Sequence, residues 1–146
     1  MRKNYLIAFP IFLLVLLFAI ICYSQVHGRI ISKTEADEQF DSVLISVTMS
    51  VESLQELISG TRDNIMFKID NDSVIVLDNN RNVLFPEGKV ISSEDIFTLY
   101  SVSVLNNLFL QGNAATVYIE QRTNVLTITN GNYTMEFGTL CPPYCF

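Results

Sequence analysis

Tryptophan is absent from the 146 residues, histidine occurs once, and cysteine only three times. One histidine leaves little material for a Ser-His or Cys-His nucleophilic pair. It also makes a metal centre hard to assemble, since a structural zinc needs about four ligands. Glycine-rich phosphate loops of the Walker or G-x-G-x-x-G type are missing as well. Basic side chains are few, nine against fifteen acidic ones, for a net charge of −6. That balance argues against nucleic acid and against an anionic membrane surface as partner. No catalytic constellation emerges, so the expectation is a protein that binds and is not an enzyme, with no cofactor and no metal.

What is present begins with an uncharged apolar run. Residues 5–23 read Y-L-I-A-F-P-I-F-L-L-V-L-L-F-A-I-I-C-Y. As a helix the run spans about 28 Å, close to the ~30 Å hydrocarbon core of a bilayer. Arg2 and Lys3 precede it, whereas Glu35, Asp37, Glu38 and Asp41 follow soon after Arg29 and Lys33. The basic flank favours a cytoplasmic N-terminus, with the rest of the chain across the membrane. Pro10 would give a kink at most. The expectation is a transmembrane signal-anchor over residues 1–23, a stalk over 24–33 and an extracytoplasmic domain over 34–146. The rival reading is a cleaved signal peptide, although the apolar core exceeds the usual h-region. Lipid modification of Cys22 is disfavoured by the bulky Ile21 before it.

Cys141 and Cys145 form C-P-P-Y-C near the C-terminus. In an oxidising compartment they are expected to form a disulfide, either with each other or with another chain. The loop is too short for a large effect on stability. The spacing is not the C-x-x-C of thiol oxidoreductases.

Past the stalk, Thr34 is expected to cap a helix over residues 34–58, with Glu35, Asp37 and Glu38 in its first turn. Its apolar stripe is Phe40, Leu44, Val47, Val51, Leu54 and Ile58, and Gly60 stops it. This stripe also suits a short coiled-coil seam, but packing on a sheet fits its length better. Strands are expected over 65–70, 73–78 and 82–86, separated by Asn and Asp turns. A second helix over 93–111 is expected after Ser92, then strands over 115–121, 125–129 and 133–137. Asn130-Gly131 is the strongest hairpin signal. The fold class is therefore α+β: α-β-β-β twice, an antiparallel sheet with two helices on one face.

The second helix shows two apolar stripes, one of them Leu99, Val102, Leu105 and Phe109. The first has a spare apolar set that includes Ile45 and Met49. Together these six residues are the candidate surface for a partner or an apolar ligand; the alternative is a core helix sandwiched in the fold. Asp70, Asp72 and Asp78 lack the density and glycine of a calcium loop and read as turn acids. Asn71-Asp72-Ser73 and Asn132-Tyr133-Thr134 match the glycosylation sequon, as chance allows.

The layout of a short basic N-terminus, one membrane helix, a compact domain and the late pair Cys141 and Cys145 resembles the ToxS/TcpH-type periplasmic partners of ToxR-like membrane regulators. The resemblance implies an inner-membrane, single-pass protein whose periplasmic domain pairs with a regulator and stabilises or tunes it, with an apolar ligand between them. It transfers no site residues. The expected partners are thus the bilayer through residues 5–23, a membrane protein or a second copy, and an apolar ligand. The alternative roles are a scaffold subunit of a pilus or secretion platform and an apolar-ligand binder acting alone.

Overall fold

The computed structural model describes residues 26–141. They form a small α+β domain of two five-stranded antiparallel sheets and three helices. In chain order these are β1 (Arg29–Ser32), α1 (Lys33–Gln39), β2 (Ile45–Ser50), α2 (Val51–Ile58), β3 (Asn64–Asp70), β4 (Ser73–Leu77), β5 (Val83–Phe85), β6 (Phe97–Ser101), α3 (Val102–Gly112), β7 (Thr116–Gln121), β8 (Leu126–Asn130), β9 (Tyr133–Glu136) and β10 (Thr139–Cys141). No helix among the described residues is long and apolar enough to cross a membrane. The expected anchor over 5–23, together with Cys22, lies outside them.

The first sheet has the order β1-β9-β8-β7-β2 and the second β10-β6-β3-β4-β5. A β-α-β-β-β unit therefore occurs twice, first as β2-α2-β3-β4-β5 and then as β6-α3-β7-β8-β9. Each unit's meander pairs with the other unit's leading strand: β7 with β2, and β3 with β6. This exchange interlocks the halves, so neither sheet closes without both.

Both long helices expected from the sequence are broken. The 34–58 stretch divides into α1, β2 and α2. Ser32, not Thr34, caps α1, its hydroxyl accepting from Glu35 N–H, and Ser50 caps α2 by accepting from Ser53 N–H. Between them, Ile45, Val47 and Met49 alternate with Ser46 and Thr48. That period of two, with Ile45, Val47 and Thr48 β-branched, suits a strand. The 93–111 stretch divides into β6 and α3. All five β6 residues are buried, so no polar face marks the strand's period. Ser92 instead closes a turn with Glu94 and Asp95. The expected single sheet with two helices on one face gives way to two sheets and three helices.

The expected stalk is also revised for its described part. Arg29–Ser32 is a strand paired with β9. His27 is buried, its N–H donating to Ser101 Oγ at 2.9 Å and its Nδ1 lying 2.7 Å from Thr139 Oγ1.

The main core lies between the sheets. Ile65, Phe67, Val74, Val76 and Tyr100 from the second sheet meet Val117, Ile119, Leu126, Ile128 and Met135 from the first, with Leu54, Leu105 and Leu108 from the helices. A second cluster of Met66, Ile75, Leu77, Phe97, Leu99 and Cys141 occupies the second sheet's opposite face. Arg81 helps to close that face: its guanidinium donates to the carbonyls of Ser92 and Asp95 and stacks on Phe97.

Candidate functional site

The six apolar residues expected to form a contact surface do not come together. Leu99 points into the outer cluster of the second sheet, whereas Val102, Leu105 and Phe109 of α3 are buried in the main core. Met49 packs partly against that core and Ile45 is exposed on β2. The core takes up the apolar stripes of α3, and the helix's exposed side carries Ser103, Asn106, Asn107 and Leu110. Cys141 is fully buried in the outer cluster, with the Arg81 guanidinium 3.8 Å from its sulfur. Cys145, its expected partner, lies outside the described residues.

A cavity of about 560 Å³ opens at one end of the two sheets. Its apolar walls come from Phe40, Phe67, Ile69, Val125, Leu126 and Leu140, among others. The volume falls within the ~300–1,000 Å³ typical of small-molecule sites. Two local features shape it. The β7–β8 hairpin is closed by Arg122 N–H donating to the Val125 carbonyl at 2.9 Å. Phe137 and Gly138 carry the chain from β9 in one sheet to β10 in the other. Phe137 adopts φ 57°, a conformation uncommon for an aromatic residue, and its ring stands under the Arg29 guanidinium. A side chain at 138 would collide with Thr98 and Tyr100, so glycine is required there.

One wall is polar and includes the buried Arg122 and Glu136, whose charged partners Arg29, Asp37 and Glu120 lie outside the lining. In cross-strand register, Arg29, Glu136, Thr127 and Glu120 follow one another across the outer face of the first sheet. Helix α1 lies over this face, with Ala36 fully buried where it touches. Thr129 Oγ1 donates to Glu120 Oε2 at 2.8 Å. Arg122 is almost wholly buried. Its Nη2 donates to Asp37 Oδ1 at 2.8 Å and lies 3.7 Å from Glu120 Oε2, while its Nη1 donates to the Asp41 carbonyl at 3.1 Å. Arg29 is paired with Glu136, and Lys33 with Asp37 at 2.6 Å.

These environments shift the carboxyls in opposite directions. Burial pushes the Glu136 carboxyl up, and the Arg29 pairing opposes that shift without cancelling it. Asp37 is held below the usual range by its hydrogen bonds to Lys33 and Arg122. Burial also raises the Tyr100 phenol, which donates to the Leu126 carbonyl beneath the cavity. Two atoms of the polar wall, Arg122 Nε and Glu136 Oε2, have no hydrogen-bond partner among the described residues. A buried polar atom left unpaired costs about 1–3 kcal/mol.

Sequence reading did not single out Arg122 or Glu136. The available signal was a charged residue within an apolar strand: Glu120-x-Arg122 places two charges on one face, and Glu136 ends Thr-Met-Glu. Among the described residues no cluster of His, Cys, Asp or Glu is arranged to hold a metal ion. Comparison with protein-family models, with curated proteins and with solved structures found no match to this chain.

Proposed function

We propose that this chain is a membrane-tethered, extracytoplasmic binding domain for a small, largely apolar molecule. The carrying observation is the end cavity, where apolar side chains and the buried Arg122 and Glu136 line one space. Apolar walls supply affinity and a few fixed polar groups orient the ligand. Among the residues that line it, Asp41 and Glu136 are matched in number by Lys68 and Arg122, and Arg122 and Glu136 are themselves paired with Asp37, Glu120 and Arg29. A charged ligand head would upset that balance, so the head that fits is uncharged, such as a hydroxyl or an amide. The tether is carried by the apolar run over 5–23 and its basic flank, which favour an inner-membrane protein with its domain in the periplasm.

The test is to purify the full-length protein from membranes, extract it with organic solvent, and identify bound small molecules by mass spectrometry. A Leu140→Trp variant, which fills the cavity mouth, serves as the control. A compound enriched with the wild type and absent from the variant supports the reading. Equal recovery from both would remove it.

A second reading, an accessory protein that docks on a membrane partner, is favoured by one observation. Strand β2 is an uncharged, exposed sheet edge, and edges of that kind recruit strands. Crosslinking in membranes, followed by identification of the captured protein, separates a single regulator from the components of a pilus or secretion platform.

A further inference from the structure

The described chain joins the domain beside the cavity. His27 is fixed against β6: its carbonyl accepts from Ser101 N–H at 2.9 Å, and its N–H donates to Ser101 Oγ at 2.9 Å. Gly28 then lies against the Tyr100 ring and the Glu136 carbonyl, and Arg29 stands opposite Glu136 in the β1–β9 register. Glu136, Phe137 and Gly138 line the cavity, so β1 starts at the cavity end of the first sheet. The opposite end of that sheet holds the β8–β9 turn, where Gly131 lies against Gly112 of α3.

Exposed apolar surface gathers at the cavity end. Ile96, Phe137 and Leu140 line the cavity and are each more than half exposed. Val43, Leu44 and Ile45 are exposed next to it, with Leu44 N–H donating at 2.9 Å to the carbonyl of Gln121, another lining residue. With Val26, these are seven of the twelve large apolar side chains exposed among the described residues. Apolar residues exposed singly need no account, whereas a patch gathered round a cavity mouth marks a contact. The lining balances Asp41 and Glu136 against Lys68 and Arg122, so the net charge of −6 is not concentrated here.

The sequence upstream identifies what the patch meets. The uncharged run over 5–23 ends four residues before His27. Four residues reach at most about 14 Å. With that run in a bilayer, the start of β1 is held close to the leaflet surface, and the cavity end with it. On the tethered binding reading proposed above, we infer that the cavity end rests on the bilayer and that the molecule it takes is a lipid of that leaflet, entering by an acyl chain. The rim residues Ile96, Phe137 and Leu140 then bury their exposed faces at the headgroup boundary, as apolar faces of surface-bound proteins do. An acyl chain that passes from leaflet to cavity avoids the hydration cost that an apolar ligand bears in water. The chain is uncharged, as the balanced lining requires, and the charges of the headgroup stay at the surface.

The test places the full chain in phosphatidylcholine nanodiscs doped with nitroxide lipid and reads broadening of methyl resonances. The nitroxide is carried either on the headgroup or near the end of an acyl chain. Headgroup nitroxide is expected to broaden Ile96 and Leu140 at the rim and to spare Leu110, which lies on α3 two residues before Gly112. Chain-end nitroxide is expected to broaden Ile69, Val125 and Leu126 more strongly than headgroup nitroxide does, because only an inserted chain carries its end past the rim. Leu140→Trp is expected to abolish this chain-end effect, with unchanged shifts at Leu54 and Leu105 showing that the core is intact. Equal broadening of Leu110 and the rim overturns the orientation. Stronger broadening of the inner methyls by headgroup than by chain-end nitroxide overturns lipid entry. Titration of the same sample with 1-octanol then separates the two claims. Saturable shifts at the cavity methyls leave a binding pocket supplied from elsewhere, and their absence removes the pocket as well.

Discussion

Arg122 and Glu136 stand on the same face of the first sheet, one at the β7–β8 hairpin and one at the end of β9, and both line the end cavity. Each is buried, each is held by an opposite charge, and each keeps one side-chain atom without a hydrogen-bond partner among the described residues. A protein that used this end only for packing would gain by filling it with apolar side chains, since buried ion pairs add little net stability. On the proposed reading, an uncharged group of the ligand enters beside them.

Narrowing the mouth is the simplest perturbation. Ile96 and Leu140 both line the cavity and are more than half exposed. Ile96→Trp and Leu140→Trp are expected to change stability by no more than about 0.5 kcal/mol, as surface substitutions do. Both are expected to weaken binding of an apolar probe about tenfold or more, the cost of a blocked pocket. Thermal unfolding and probe titration on the same samples check the two halves of this expectation.

The Glu136 carboxyl gives a pH signature. Burial raises its folded pKa, so the folded state binds its proton more readily than the unfolded chain does. Its contribution to stability is then greatest below the unfolded glutamate pKa, about 4.3, and declines as pH rises towards the raised value. Arg29, Glu35 and Tyr100 are the groups that act on it or feel it. Asp37 and Asp95, held low by Lys33 and Lys68 respectively, contribute stability that is lost as pH falls through their folded values. Urea melts of wild type and Glu136→Gln from pH 4 to 7 therefore show wild type losing ground to the variant as pH increases. A gap that stays constant, or widens in the wild type's favour, contradicts the assignment.

Asn130 anchors the second unit. Its buried amide donates to the carbonyls of Ala114 and Thr116, both at 2.9 Å, and accepts from Ala114 N–H at 3.3 Å. Gly112 and Gly131 lie so close to each other and to Asn130 that a Cβ on either would collide. Asn130→Ala strands these backbone groups and is expected to cost about 3 kcal/mol, read as a drop in the urea midpoint with unchanged slope.

The cysteines give a chemical check on compartment. With Cys141 paired to Cys145, thiol labelling in denaturant without reductant modifies Cys22 alone, and reduction exposes the other two. Labelling of all three before reduction would argue against an oxidising location.

Much of the strand content was legible. The spans expected over 65–70, 73–78, 82–86, 115–121, 125–129 and 133–137 correspond to β3, β4, β5, β7, β8 and β9 within two residues at each end. Turn chemistry bounded them, and Gly131 with Asn132 makes the tight β8–β9 connection close to where Asn130-Gly131 marked it. The helices were misread for two different reasons. In β2 the alternation Ile45, Val47, Met49 was present, but Phe40, Leu44, Val47 and Val51 also fit a helical stripe and masked it. In β6 both faces are buried, so Phe97-Thr98-Leu99-Tyr100 shows no alternation at all. The cavity was not legible because its walls come from β3, β7, β9, the chain after α1 and the 137–138 crossover. Only the exchange of meanders between the two units brings those segments to one end.

The most direct test of the binding reading is methyl NMR of the full chain in nanodiscs, titrated with 1-octanol and referenced to empty discs. The account predicts saturable shifts at Ile69, Ile96, Val125, Leu126 and Leu140 of the cavity wall, with Leu54 and Leu105 of the deep core unmoved, and the same shifts lost in Leu140→Trp. Shifts that never saturate, or that appear at Val43 and Leu44 while the cavity methyls stay still, would contradict it.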